Sequence, residues 1–341
     1  MIVKNEEAVM KRCLSCVQTF ADEIIVVDTG SVDRTVDISR EMGAKIYDYP
    51  WGDDFAAARN FSFSKATMEF QMWLDADDVI DEENQKKMSM LKETLDPSVD
   101  VIFMHYEMNH QKEASPVIFD RERLVKKGKH FVWEGRVHET LKINGKISYQ
   151  DITIKHKKEQ INDPFRNLRI FEKMRKEQVQ FTPRDQYYYA RELQQHNKIT
   201  EAVEQYECFL KREAWTEDQV QACYELGSCY LQLQDRISAF LAYTKSFFYA
   251  VPTSRICNAI GCLLIEDQRY MEAAYWYEQA IRSTHRGGFE NQDEHDFLPG
   301  LQLAICYYYL NEKAIAKYWF DFAKKIHPNH PLILENDVYF K

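Results

Sequence analysis

The sequence predicts two domains: an α/β domain with a Rossmann-like, mostly parallel sheet, followed by an all-α array of short helical repeats. Three observations carry this. Short β-rich runs alternate with helical patterns through the first part of the chain, strand signals cease from Pro164 onward, and the second half matches itself at an offset of 34 residues (261 minus 227). With 341 residues and a 45% hydrophobic composition, the chain is long enough for two separate cores.

In the first half, Ile24 to Asp28 is the clearest strand, followed by the turn Thr29-Gly30-Ser31. Asp33 to Met42 then reads as a helix closed by Gly43, and Ala44 to Asp48 as the second strand of a crossover unit. Asp53 to Ala66 reads as a helix, and Phe70 to Leu74 as an apolar strand running into Asp75-Ala76-Asp77-Asp78. Acidic side chains therefore recur at carboxyl ends of strands, the edge of an open α/β sheet at which ligands bind. Beyond Asp96-Pro97 the runs Val99 to Glu107, Val117 to Val125, Phe131 to Leu141 and Ile152 to His156 read as added antiparallel strands. The polar stretch from Lys157 to Asp163 is the expected boundary, giving domains of residues 1–160 and 164–341.

Within the second half, Leu226-Gly227-x-x-Tyr230, Ala239 and Tyr243 return as Ile260-Gly261-x-x-Leu264, Ala273 and Tyr277. That is the tetratricopeptide period. Looser copies flank it, with Ala190, Leu193, Ala202 and Tyr206 before and Ala304, Tyr307, Ala316 and Phe320 after. Small residues at two fixed positions let paired helices approach, and the aromatics fill the gaps between successive pairs. Three aromatic triplets, Tyr187-Tyr188-Tyr189, Tyr275-Trp276-Tyr277 and Tyr307-Tyr308-Tyr309, belong mainly to this packing. Three consecutive helical residues nevertheless cover about 300° around the axis, so one ring of each triplet is expected to face outward.

Composition excludes some partners. A formal charge of −10 and a pI near 5.6, with no basic stripe, disfavour nucleic acid. No apolar run approaches the roughly 20 residues that span a bilayer, and the N-terminus has no signal-peptide pattern, so a cytoplasmic location is expected. The eight cysteines are scattered through helical patterns, which predicts buried thiols and no disulfides. Cys13 and Cys16 form C-x-x-C inside a helix-like stretch and read as packing residues.

Asp75-Ala76-Asp77 is the most informative short motif. Residues i and i+2 of an extended chain point the same way, so both carboxylates can face one cation. Mg²⁺ and Mn²⁺ are held by one or two carboxylates together with substrate phosphates. The competing reading is helix capping by Asp77 or Asp78 ahead of Asp81 to Leu95.

Four ordered segments, Met1 to Glu7, Ile24 to Thr35, Asp54 to Asn60 and Leu74 to Asp78, together resemble the family 2 glycosyltransferases of the GT-A fold. With the repeats, the likeness is to the bacterial tetratricopeptide-tailed subset related to the enzymes that glycosylate cysteine in glycocin peptides. The resemblance implies that Asn5 and Glu6 lie beside the nucleotide, that Asp28 accepts a hydrogen bond from the base, normally uracil, and that Arg59 lies near the diphosphate. It implies that Asp75 approaches the ribose or sugar and that Asp77 ligates the cation, Mn²⁺ or Mg²⁺. Read from residues alone, Glu6 can equally favour a helix start, and Arg59 can pair with Asp53 or Asp54. The family's first strand carries several more apolar residues ahead of the segment that starts here at Met1, leaving an expected first strand of four residues.

Trp133-Glu134-Gly135-Arg136-Val137-His138-Glu139 resembles the late motif of the same subset, on the acceptor side. Transfer needs a base for the incoming nucleophile; Glu139 is the expected base and His138 the second candidate, against a reading in which the pair only closes a hydrogen-bond network. By the same resemblance His156 is expected as a further metal ligand, and Lys157 with Lys158 to neutralise the leaving diphosphate or to form a solvated linker. The resemblance thus implies an inverting transfer of a hexose or N-acetylhexosamine from a UDP-sugar to a peptide or protein held partly by the repeats, which can also form a homodimer. A transferase for a cell-surface glycan precursor and a non-catalytic repeat scaffold are the alternatives.

Overall fold

The structure is a computed structural model that describes residues 1–108, 116–157, 163–284 and 290–340. Two compact units result: residues 1–108 with 118–179, and the run Gln180–Lys341.

The first unit opens with β1 (Ile2–Val3), α1 (Glu7–Val17), β2 (Ile25–Asp28), α2 (Thr35–Glu41) and β3 (Lys45–Asp48). The three strands form a parallel sheet in the order β1-β2-β3, with Val3 beside Asp28 and Asp28 beside Asp48. β1 is two residues long rather than four, because Asn5 takes a left-handed backbone (φ 56°) that turns the chain into α1. Gly43, at φ 81°, ends α2 in a conformation that costs other residues more, and its N–H reaches the Arg40 carbonyl at 3.0 Å. One face of α1, including Met10, Cys13, Leu14 and Val17, is buried, so the C-x-x-C cysteines are core residues. All eight cysteines of the chain are free.

Next come α3 (Phe55–Lys65), β4 (Phe70–Met72), β5 (Asp78–Val79), α4 (Glu82–Thr94), β6 (Val101–Met108), β7 (Val117–Lys126), β8 (Val132–Glu134), β9 (Thr140–Lys142), β10 (Ile147–His156) and α5 (Arg166–Lys176). A second sheet has the order β4-β7-β6-β10-β5 and is mixed, whereas β8 and β9 form a separate hairpin. The run expected as one strand from Phe131 to Leu141 is that hairpin, broken where Gly135 (φ 98°) and His138 (φ 51°) turn the chain. β6 and β10 were expected as antiparallel additions; they pair in parallel, Phe103 beside Tyr149 and His156 beside Met108. The intervening β7, β8 and β9 return the chain to the end of the sheet from which β6 started. Core side chains lie on both faces of this sheet. Met104, Ile152 and Ile154 join Val26, Leu74 and α1 in one cluster, while Val101, Val125, Trp73, Trp133 and Leu141 form another.

The stretch expected to divide the domains lies largely in residues 158–162, outside the described chain, and the helix after it packs with the first unit. α5 buries Leu168, Ile170, Phe171 and Met174; Lys173 pairs with Asp53 at 2.6 Å, and Arg136 with Glu177 at 2.7 Å. In sequence this helix is amphipathic like any repeat helix, so only its contacts assign it.

The second unit consists of the antiparallel pairs α6 (Pro183–Gln195) with α7 (Ile199–Phe209), α8 (Thr216–Gln232) with α9 (Arg236–Lys245), α10 (Ser254–Glu266) with α11 (Tyr270–Arg282) and α12 (Phe297–Tyr309) with α13 (Lys313–Ile326), then α14 (Pro331–Asn336). The repeat has a direct steric cause. A Cβ on Gly227 would lie 2.2 Å from the ring of Tyr243, and one on Gly261 would lie 2.7 Å from Tyr277, so glycine lets the aromatic of the second helix cross the first. Ala239, Ala273 and Ala316 are buried at equivalent positions. Each pair turns at a left-handed residue, Asn197, Gln234, Gln268 or Asn311.

The outward-ring expectation holds for two triplets and fails for one. Tyr275 and Tyr309 are exposed, but Tyr187, Tyr188 and Tyr189 are all buried, because α6 is covered by both α7 and α8. Among the described residues no helix is long and apolar enough to cross a membrane.

Candidate active site

The site is built where β1, β2 and the Asp75–Asp78 turn end. Asp28, the last residue of β2, is buried, and its carboxylate accepts the amides of Gly30 (3.1 Å) and Ser31 (3.1 and 3.2 Å), closing the turn on itself. Asn5 is laced to the same loop: its side-chain oxygen accepts the Val32 amide at 2.8 Å, and its own amide donates to the Ser31 hydroxyl at 2.9 Å. Glu6 follows at the N-cap position of α1 without a side-chain capping bond, and its amide donates to the Thr35 hydroxyl at 2.6 Å. Burial pushes the Glu6 carboxyl up to about 7, with the negative charge of Asp77 as the next contribution.

α3 supplies Arg59. Asp54 caps that helix through the Ala57 amide, and Asp53 pairs with Lys173, so neither is the partner of Arg59. The guanidinium is buried against the edge-to-face pair of Trp73 and Trp133, 5.2 and 5.0 Å from their centroids. It donates from Nη2 to Asp75 at 2.8 Å and from Nε to Glu139 at 2.5 Å. Burial alone would raise the Asp75 carboxyl, but Arg59 outweighs it and holds the group at about 2. One buried cation therefore joins the strand-end motif to the hairpin motif. His138 occupies the turn between β8 and β9, adjacent to Glu139.

Asp77 and His156 converge from the turn and from the end of β10: Nδ1 of His156 lies 3.4 Å from Asp77 and 3.4 Å from Asp78. Burial raises the Asp77 carboxyl; His156 opposes this, and Asp75 and Asp78 add to it. Burial lowers the His156 imidazole, but the hydrogen bond to Asp78 and the charges of Asp77 and Asp78 outweigh it, for a net rise. Among the described residues, Asp77, Asp78 and His156 form the one cluster able to hold a metal ion, with ligand atoms within 4.8 Å of one another. Carboxylate oxygens with an imidazole nitrogen are a donor set compatible with a divalent metal ion. Helix capping does not occupy this turn, since Asp81 caps α4 through the Asn84 amide. The Lys157 amide donates to the Asp77 carbonyl at 2.9 Å, which fixes the turn against the end of β10. Lys158 lies outside the described residues.

The structure thus brings Arg59, Asp75, Asp77, Glu139 and His156 into one linked set, with Glu6 electrostatically coupled to Asp77. Asn5 and Asp28 belong to the adjoining loop. Tyr106, Arg123 and Trp73 were not singled out from the sequence, where Asp78 entered only as part of the strand-end run and as a helix-cap candidate. The available signal was the run Asp120-Arg121-Glu122-Arg123, four charged residues inside an otherwise apolar strand pattern.

Residues 1–141 match the sequence profile of Glycosyl transferase family 2. A stretch of 142 residues is 32% identical to the SPbeta prophage-derived glycosyltransferase SunS of Bacillus subtilis, covering 41% of this chain and 33% of that protein. A 78-residue stretch is 49% identical to a TPR repeat-containing protein of Synechococcus elongatus, covering 23% of this chain and 19% of the other. A 91-residue stretch is 34% identical to an uncharacterized glycosyltransferase of Rickettsia typhi, covering 27% and 31%. The chain therefore spans a third or less of the length of these curated relatives. Among solved structures, a tetratricopeptide repeat protein from Parabacteroides merdae aligns with a TM-score of 0.43 at 18% identity, over 52% of this chain and 66% of that one. The apo form of RapI aligns with a TM-score of 0.42 at 15% identity, over 50% and 52%.

Proposed function

We propose that this chain, which joins a family 2 glycosyl transferase domain to a tetratricopeptide array, is an inverting glycosyltransferase that moves a hexose or N-acetylhexosamine from a UDP-sugar to a peptide or protein. The observation that carries the reading is the convergence of Asp77 and His156 beside an Asp75 tied through Arg59 to Glu139. Donor chemistry and acceptor chemistry need to meet at one anomeric carbon, and a buried arginine shared by two motifs 64 residues apart (139 minus 75) is a rigid way to hold them together.

In this reading Asp28, with Asn5 and Glu6 beside the nucleotide, receives the uracil, and Asp75 approaches the ribose or sugar. Asp77 and His156 hold Mn²⁺ or Mg²⁺, which when bound supplies positive charge against the donor diphosphate. Glu139 takes the proton of the acceptor hydroxyl or thiol on the carboxylate oxygen that Arg59 does not hold, and His138 is the alternative base. The acceptor oxygen or sulfur bonds to the anomeric carbon as the carbon–oxygen bond to the diphosphate breaks, and UDP leaves with the electron pair. Water exclusion and fixed charge come from the buried Trp73, Trp133 and Arg59 layer.

The repeats are the acceptor platform and a homodimer contact in this proposal, supported by the exposed rings of Tyr275, Tyr308 and Tyr309. A cytoplasmic site for the reaction is supported by eight free cysteines. Incubating the chain with UDP-sugars and Mn²⁺ and measuring released UDP tests the reading: release is expected for at least one donor, and none from any UDP-hexose or UDP-N-acetylhexosamine would overturn it in favour of a binding scaffold.

A further inference from the structure

The three carboxylates of the Asp75–Asp78 turn have unequal surroundings. Asp75 is ion-paired with Arg59 at 2.8 Å. Asp78 has a fully buried side chain that accepts from Arg123 Nη1 at 3.0 Å, from the Tyr106 hydroxyl at 2.9 Å and from the Asp75 amide at 3.2 Å. Arg123 is itself fully buried, its guanidinium 3.7 Å from the centroid of Trp73 and 4.1 Å from that of Tyr106. Nη1 also donates to the Trp73 carbonyl at 3.3 Å, while Nε and Nη2 have no hydrogen-bond partner among the described residues. Among the described residues, Asp78 is the one carboxylate paired with this cation. Asp77, by contrast, has no lysine or arginine partner among the described residues and faces His156 alone.

We infer that Arg123 sets the charge of the cation site: by pairing with Asp78 as Arg59 pairs with Asp75, it leaves Asp77 as the one carboxylate of the Asp75–Asp78 turn without an arginine partner among the described residues, so a divalent cation is held firmly only when a nucleoside diphosphate adds its own negative charge. The inference rests on the cation site proposed above. Arg123 is a positioning residue, acting through Asp78 and not on the donor. A planar guanidinium suits the task because it can lie between two rings while one nitrogen holds the carboxylate. Asp78 then serves to fix the turn through the Asp75 amide, and it is not a ligand, although its oxygen lies near His156. One carboxylate with an imidazole gives a divalent cation little charge to bind, whereas two carboxylates would bind it without donor.

The test follows free Mn²⁺ by its electron paramagnetic resonance signal in solutions of the full chain, with and without UDP, for the natural protein, Arg123→Lys and Arg123→Gln. The natural protein is expected to bind Mn²⁺ at least ~10-fold more weakly without UDP than with it, and Arg123→Lys to keep that gap because it keeps the charge. Arg123→Gln is expected to narrow the gap by tightening nucleotide-free binding ~10-fold, because Asp78 becomes a second uncompensated carboxylate. Folded Arg123→Gln that binds Mn²⁺ no more tightly than the natural protein overturns the inference. Should that variant not fold, the natural protein alone decides: equally tight Mn²⁺ binding with and without UDP overturns it. Absence of Mn²⁺ binding under both conditions removes the underlying cation site as well, which separates the two failures.

Discussion

At the scale of single residues, the site is a set of charges whose partners decide their roles. On the proposed cation site Asp77 is the carboxylate left to the ion, so UDP is expected to bind tightly only with a divalent ion present, and Asp77→Ala to abolish that dependence. Titration calorimetry with EDTA and with Mn²⁺ checks it; equal affinities would remove the metal assignment. Glu139→Gln is expected to bind donor normally yet lose transfer to a hydroxyl acceptor by ~10²-fold or more, the usual contribution of a general base. A thiol acceptor, already partly ionised near neutral pH, should suffer less, and wild-type turnover at pH 6 to 7 would move the assignment to His138. Glu6 makes a prediction about pH. Its folded-state value of about 7 lies above the ordinary 4.5, so the folded state holds the extra proton between them. Stability from this group is therefore present below about 4.5 and is lost as pH rises through about 7. Melting temperatures in EDTA should show Glu6→Gln gaining on the natural protein across that window; parallel pH profiles would contradict the burial-raised Glu6 carboxyl.

At the scale of elements, the repeat pairs depend on glycines crossed by aromatic rings. Gly227→Ala would drive a methyl group to 2.2 Å from the Tyr243 ring and is expected to destabilise the array by ~1–3 kcal/mol, the range for overpacking a filled core. Gly261→Ala, at 2.7 Å from Tyr277, should act in the same direction. Gly52→Ala is the control, because its Cβ would meet nothing within 4 Å and its backbone is not left-handed. Urea unfolding of the three variants checks the ranking, and a neutral Gly227→Ala would mean that Tyr243 can swing away at little cost. The same element-scale logic explains the hairpin of β8 and β9. Its two left-handed residues bring Glu139 back within reach of Arg59, which a continuous strand from Phe131 to Leu141 would not do.

For the molecule as a whole, the first unit extends to Val179, so a chain ending there should keep UDP binding, whereas one ending at Asp163 loses the buried face of α5. Comparing the two by thermal melt and UDP affinity tests this; equal stability would make α5 a linker. Both truncations are expected to lose acceptor glycosylation relative to the full chain if the repeats hold the acceptor. The sequence by itself determined the two-part architecture, the 34-residue repeat and the acidic strand-end motif, because each is written in local periodicity or in adjacent residues. It also supplied Arg59, Asp75, Glu139 and His156 as separate candidates. Only the tertiary structure decided that Arg59 joins Asp75 to Glu139, that Arg123 neutralises Asp78 inside a Trp73–Tyr106 sandwich, and that β6 and β10 lie parallel. Those facts depend on which distant segments meet and on which charges lose their water, and neither pairing nor desolvation leaves a periodic mark along the chain.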